Sequence, residues 1–255
     1  MIVKRAAYRL ISLVLCSLIL GCGAIRGDPS FPQAIAGMKH SIAPVVCLSR
    51  NSDGTVRLDQ IDGTAFFISI DGLFLTPAHV IADFRPQHPL ANCALPGVYF
   101  PEEQWSGGQQ VHLQWFAFSP SQCVVDEQLD LAKCRTLAQL NEPPWNKFEP
   151  TPVTIDASVK DDGTPIAFTG FPLGIVVPIT SAGVIAAYLD SPNGGPPFGR
   201  IVIDKAAWPG ASGSPIYLED GEVIGLIVAA GAGFGAGTAY GRSSLTIDAF
   251  LKAHP

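Results

Sequence analysis

No apolar stretch of this 255-residue sequence is long enough to cross a membrane as a helix: the longest run, Leu10 to Leu20, is about eleven residues, and a span needs ~20. Charge is also scarce, at 15% of residues, and its balance is negative, with 16 basic against 22 acidic side chains. There is no basic run and no interleaving of basic with aromatic residues, which excludes a phosphate-binding surface and a nucleic-acid partner. The cysteines never fall in a C-x-x-C pair and no His stands close to two of them, so a structural metal site is excluded and no cofactor is called for. Repeats at a fixed period of roughly 20 to 50 residues are missing, which removes solenoids and propellers.

What is abundant is turn chemistry. Gly 26 and Pro 22 are spread along the whole chain, the pattern of many short strands joined by turns, and the length suits one folded domain. The N-terminus differs. Lys4, Arg5 and Arg9 precede the apolar run and Gly21-Cys22 follows it, the layout of a secretory signal over residues 1–22. Ile19-Leu20-Gly21-Cys22 resembles a bacterial lipobox, in which the Cys is lipidated and anchors the mature chain to a membrane; the alternative is an ordinary cleaved signal with a chance Cys. Cutting before Cys22 removes three basic residues and no acidic ones, leaving 13 against 22 and a net charge of −9. Residues 23–33 read as a tether and 34–255 as the folded domain. Cys47, Cys93, Cys123 and Cys134 remain in it, an even number in an exported chain, which predicts two disulfides among three possible pairings.

Along the domain, Ala34 to Ile42 has weak helical periodicity and Ala43 to Leu48 reads as a first strand. Further strands are expected at Thr64–Ile70, Val111–Phe118, Leu129–Arg135, Pro165–Thr169, Ile175–Leu189, Arg200–Ile203, Ser214–Leu218 and Val223–Ala230, with a closing helix over Thr246–Ala253. Asp53-Gly54, Asp71-Gly72 and Asp220-Gly221 mark hairpins. Asp190 to Gly199 is the most loop-like stretch, placed to border a cleft.

Three segments carry chemistry. A serine hydroxyl needs a base to take its proton, and the base needs a third group to fix its tautomer. Gly63-Thr64-Ala65-Phe66-Phe67-Ile68 leads through an Asp-Gly turn to Leu73-Phe74-Leu75-Thr76-Pro77-Ala78-His79-Val80, which puts His79 at a strand end. Leu129-Asp130-Leu131-Ala132 places a carboxylate against an apolar pair, where it requires a partner; Asp126 is its nearest competitor, in a more polar stretch. Trp208-Pro209-Gly210-Ala211-Ser212-Gly213-Ser214-Pro215 offers a nucleophile in a Gly-bounded turn, and such a turn can aim the N–H groups of Gly210 and Ser212 at one developing oxyanion.

These segments, in the order His, Asp, Ser, resemble those of chymotrypsin-fold serine proteases and among them the HtrA-like proteases. Gly170-Phe171-Pro172-Leu173-Gly174 and Gly221 to Ala229 resemble further stretches of the same family, so the likeness runs from about Ile35 to Leu251. The resemblance implies an all-β fold of two six-stranded antiparallel barrels with a short C-terminal helix, His79, Asp130 and Ser212 as the catalytic triad, Gly210 and Ser212 as the oxyanion hole, and a polypeptide substrate cleaved outside the cytoplasm. The family's usual Asn or Asp before the nucleophile is Ala211 here. The acid that binds Lys or Arg side chains in trypsin-like members is replaced by Ala206, and only His254 follows Ser212 where glutamate-specific members need a His, which leaves a small or apolar side chain as the expected preference. The residues after Ser212 suffice to finish a second barrel, so a protease domain without PDZ domains is expected. The alternative from another class is a catalytically silent peptide-binding lipoprotein of the same fold. An α/β-hydrolase is disfavoured by the order of the three residues and by Ser214, which stands where G-x-S-x-G needs its last Gly.

Overall fold

A computed structural model describes residues 31–85, 93–101, 113–137, 150–191, 195–231 and 237–255. The signal-like segment, Cys22 and most of the tether lie outside the described residues, as do Val111 and His112 of one expected strand. Among the described residues no helix is long and apolar enough to cross a membrane.

Helix α1 (Phe31–Lys39) leads into β1 (Ile42–Arg50), β2 (Val56–Phe67), β3 (Leu73–Thr76), the short helix α2 (Ala78–Ala82), β4 (Leu95–Pro101), β5 (Leu113–Ala117), β6 (Val124–Asp126) and β7 (Leu131–Arg135). The second half runs through β8 (Pro165–Gly170), β9 (Ile179–Leu189), β10 (Arg200–Ile203), β11 (Pro215–Tyr217), β12 (Val223–Ala230) and β13 (Ala239–Ser243) to helix α3 (Ser244–Ala253). The described pairings between strands are antiparallel. In the second half they close a six-stranded barrel in the order β10-β13-β12-β11-β8-β9. The first half is a seven-stranded sheet, β5-β4-β1-β2-β3-β7-β6, in place of a closed six-stranded barrel. It curls until β5 reaches the end of β7: Phe118 bridges Thr136 and the Leu137 N–H donates to Ala117 O at 2.7 Å. The extra strand is the three-residue β6, which a turn at Pro120–Gln122 and the Cys123–Cys134 disulfide fold back along β7. The other disulfide, Cys47–Cys93, ties β1 to the chain ahead of β4.

The two halves share a core because strand side chains alternate between faces. On β2, Phe67 enters the core of the first sheet and Phe66 the layer between the halves; on β3, Phe74 and Leu75 divide the same way, and on β7, Ala132 and Leu131. From the other side that layer receives Phe171, Tyr217, Leu226, Ile247 and Phe250. Ile166, Phe168, Ile201, Ile203, Ile216 and Ile227 fill the second barrel. Burying a phenylalanine or isoleucine of this kind contributes about 1.5–3 kcal/mol, so each half is committed to a fixed position against the other.

The three Asp-Gly pairs fall in the hairpins β1–β2, β2–β3 and β11–β12. Helix α1 lies earlier than its periodicity suggests, because turns at Gly37–Ser41 end it and Ile42 already pairs with Phe66. Strand β2 starts eight residues before Thr64, since Val56 to Asp62 are extended but too exposed and polar to show an apolar alternation. Strand β9 starts at Ile179 instead of Ile175, because Pro172–Gly174 is a helical turn. Strands β4 and β13 had no expected counterpart: Pro96, Gly97 and Gly241 interrupt any apolar alternation there, yet Gly97 is bare because a side chain there would collide with Trp115.

Candidate active site

His79 follows β3 directly. Pro77 is extended and Ala78 opens α2, so the His79 N–H falls in the first turn, where a helix offers no backbone acceptor. The Asp130 carboxylate accepts it, at 3.0 Å from Oδ1. The same carboxylate lies 2.9 Å (Oδ2) and 3.1 Å (Oδ1) from the His79 Nδ1. One acid thus holds the imidazole by its ring and by its backbone, which leaves Nε2 as the ring nitrogen without a partner among the described hydrogen bonds. The His79 side chain is 47% exposed and that of Asp130 22%.

Asp130 sits at φ +53°, a left-handed conformation that Asp tolerates better than most residues but that still needs support. Asp126 supplies it. Its Oδ1 accepts the N–H groups of Gln128 and Leu129, both at 2.9 Å, and so shapes the β6–β7 turn that presents Asp130. The competitor carboxylate is a turn former, and Leu131 beyond it is fully buried. The half-buried Arg242 guanidinium on β13 feels the charges of both aspartates, while its own burial pulls its pKa below the usual value.

The nucleophile loop comes from the other half. Gly210 (φ +90°) and Gly213 (φ +89°) flank Ala211 and Ser212; a Cβ on Gly210 would lie 2.5 Å from Phe171 O and one on Gly213 would collide with Thr64 O, so both positions demand glycine for conformation and for space. Ala211 is buried with Ile166, Phe168 and Ala207, an apolar setting that suits Ala where the resembling family carries Asn or Asp. Every carbonyl from Pro209 to Ser212 is held: by Leu173 N–H (2.7 Å), Thr64 Oγ1 (3.1 Å), Ser214 N–H (2.9 Å) and Thr64 N–H (2.7 Å) in turn. In a trans peptide the N–H points opposite to the C=O. Fixing Pro209 O and Ala211 O therefore fixes the directions of the Gly210 and Ser212 N–H groups, neither of which has an acceptor among the described hydrogen bonds.

The halves meet at Gly63. A Cβ there would lie 2.7 Å from Val80, the neighbour of His79, and 2.9 Å from Ser212 O. The Ser212 hydroxyl, however, donates to Val228 O at 3.5 Å, and no hydrogen bond joins Ser212 to His79 among the described residues. The loop Asp190–Gly199, of which 192–194 lie outside the described residues, reaches the Asp130 turn: a Cβ on Gly195 would touch Leu129 at 3.4 Å.

A family profile described as "Trypsin-like peptidase domain" matches residues 63–226, well over half the chain and all three segments. The chain belongs to the trypsin-like peptidase family. No curated protein matches it closely. Among solved structures it is similar to the Rv3671c protease from M. tuberculosis in its active form, at 19% identity and a TM-score of 0.58, over 90% of this chain and 86% of that one. The inactive form of the same protease gives 19% and 0.57 over 91% and 95%, and a serine-to-alanine mutant, also in the inactive form, 20% and 0.58 over 91% and 92%. At this identity the likeness establishes the fold. Three further groups shape this trypsin-like site without a mark in the sequence: Thr64, the Leu173 N–H and the Val228 carbonyl. The last two are backbone atoms with no sequence signature, whereas Thr64 stood in the Gly-Thr-Ala segment as a mere strand residue.

Proposed function

We infer that this protein is a serine endopeptidase working through His79, Asp130 and Ser212. The observation that carries the reading is the double hold of Asp130 on His79, together with two fixed and unoccupied N–H groups on either side of Ala211. In the reaction the Ser212 hydroxyl turns from Val228 O to His79 Nε2 and attacks the peptide carbonyl carbon as its proton passes to Nε2. The carbonyl oxygen takes the negative charge and is received by the Gly210 and Ser212 N–H groups. Collapse breaks the C–N bond, His79 returns the proton to the leaving amine, and water repeats the sequence to free the acyl group and regenerate Ser212. Asp130 keeps the proton on Nδ1 and supports the imidazolium. With Ala206 in place of an acid six residues before the nucleophile, a small or apolar substrate side chain is preferred.

The signal-like start, the lipobox-like Ile19 to Cys22 and the two disulfides support a place outside the cytoplasm, with the chain held at a membrane by lipid on Cys22 and acting on polypeptides there. One observation favours the other class: the Ser212 hydroxyl rests on Val228 O, as a silent peptide-binding relative would leave it. Hydrolysis of unfolded casein decides between them. The purified protein is expected to cleave it and Ser212→Ala to lose at least about 10⁴-fold in kcat; equal rates would leave the peptide-binding reading in its place.

A further inference from the structure

The Thr64 side chain is fully buried at the junction of the two halves and joins two segments that hold the candidate oxyanion hole. Its hydroxyl donates to Gly210 O at 3.1 Å and accepts the Phe171 N–H at 3.1 Å, which uses one donor and one acceptor site of the group. Phe171 opens the segment whose next residue but one, Leu173, holds Pro209 O. The Thr64 backbone does the rest: its N–H donates to Ser212 O at 2.7 Å, and its own carbonyl accepts the Thr76 hydroxyl at 2.9 Å, three residues before His79. Gly170 is bare beside it, since a Cβ there would stand 2.6 Å from the Thr64 hydroxyl.

Gly210, like Gly213, has little intrinsic preference for one orientation. Left alone, the peptide between Pro209 and Gly210 is free to turn its carbonyl, in place of its N–H, toward the reacting oxygen. Two restraints oppose this. One is direct, the Leu173 N–H on Pro209 O, in a segment that the Thr64 hydroxyl anchors through Phe171; the other is the same hydroxyl on Gly210 O, which fixes the next peptide and so the far side of Gly210.

We propose that Thr64 is the positioning residue of the oxyanion hole, acting through its hydroxyl on Gly210 and on the Phe171–Leu173 segment. The inference rests on the endopeptidase reading and adds to it the residue that keeps the hole formed before substrate arrives. It acts on the transition state and not on substrate affinity, because the charge it prepares for exists only after attack.

The test is steady-state hydrolysis of labelled casein by wild type, Thr64→Val and Thr64→Ser. Thr64→Val is expected to lower kcat about 10–100-fold, less than the ~10²–10³ of deleting a donor outright, with KM within about two-fold and the shape of the kcat/KM pH profile kept. Thr64→Ser, which restores the hydroxyl, returns kcat to within about three-fold of wild type. A folded Thr64→Val with full kcat overturns the proposal, as does a loss that Thr64→Ser fails to restore, which would assign the effect to packing. Should Thr64→Val not fold, Thr64→Ser is compared with Thr64→Cys, whose thiol is a weak hydrogen-bonding group of similar size; equal kcat for the two overturns it. A wild type that cleaves nothing overturns the endopeptidase reading and this inference together, whereas an active wild type with an unimpaired Thr64→Val overturns this inference alone.

Discussion

The two halves of the site are held by different means. On the base side, one carboxylate does most of the holding, from a turn whose shape depends on a second aspartate, and both His79 and Asp130 are reached by solvent. On the nucleophile side, four successive carbonyls are tied by backbone or buried groups, and the two glycines are fixed by close contacts. The contrast fits the endopeptidase reading of the two halves. A base that takes and returns a proton must tolerate a change of charge, for which a partly hydrated ion pair is suited. An oxyanion hole works by not moving, because donors already in place need no reorganisation when charge develops.

Substitutions on the base side are therefore expected to cost activity with little stability, and those on the nucleophile side to cost both. A large effect on the base side belongs to Asp130→Asn, which keeps the size of the side chain but favours the wrong tautomer of His79. Its kcat is expected to fall about 10³–10⁴-fold while the thermal midpoint moves by only a few degrees. A loss under ten-fold would show that Asp130 does not orient the base. On the other side, Gly213→Ala drives a methyl into Thr64 O at a positive φ; unfolding in urea is expected to show a loss of about 2–4 kcal/mol together with lost hydrolysis. Unchanged stability would mean that the nucleophile loop is softer than its bonding implies.

The smallest effect concerns a neighbour of the junction. Burial, with the charge of Asp83 adding to it, pushes the Asp62 carboxyl up to about 6, and its Oδ2 has no partner among the described residues. Between roughly pH 4 and 6 the folded state keeps a proton that the unfolded chain releases, so this group makes stability fall as pH rises through that window and leaves a residual cost at neutral pH. Asp62→Asn is expected to flatten that slope and to gain about 1 kcal/mol at pH 7, a figure reduced for the part of the group that solvent screens. Urea midpoints across the pH range check it, with kcat at pH 7 as the control that should not move.

The strands that matter for the site were legible because their apolar residues alternate or run between Asp-Gly turns. Arg200–Ile203 and Val223–Ala230 match in full, and β3 follows from the turn that precedes it. What escaped was structure made without a side-chain pattern. Strand β13 buries only the small residues Ala239, Gly241 and Ser243 and β4 begins Leu-Pro-Gly, so neither carries an apolar period. The seventh strand of the first sheet exists because a disulfide and a tight turn fold three residues back on β7, a tertiary cause. In the site, His79, Asp130, Gly210 and Ser212 stood out because chemistry needs those residue types. Asp126 stood out as a rival to Asp130, and only the bonds to Gln128 and Leu129 give it a different part. The holding of Pro209 O by Leu173 N–H is a backbone contact across 36 positions of sequence, and nothing local announces it.

The central claim is that Ser212 is a nucleophile activated by His79 and served by a formed oxyanion hole. A fluorophosphonate probe tests it most directly, with the adduct located by peptide mass spectrometry in wild type and in His79→Ala. The account predicts a phosphonylated Ser212 in the wild type and labelling at least about 10³-fold slower in the variant. A wild-type protein that stays unlabelled, or labels as slowly as His79→Ala, would contradict it.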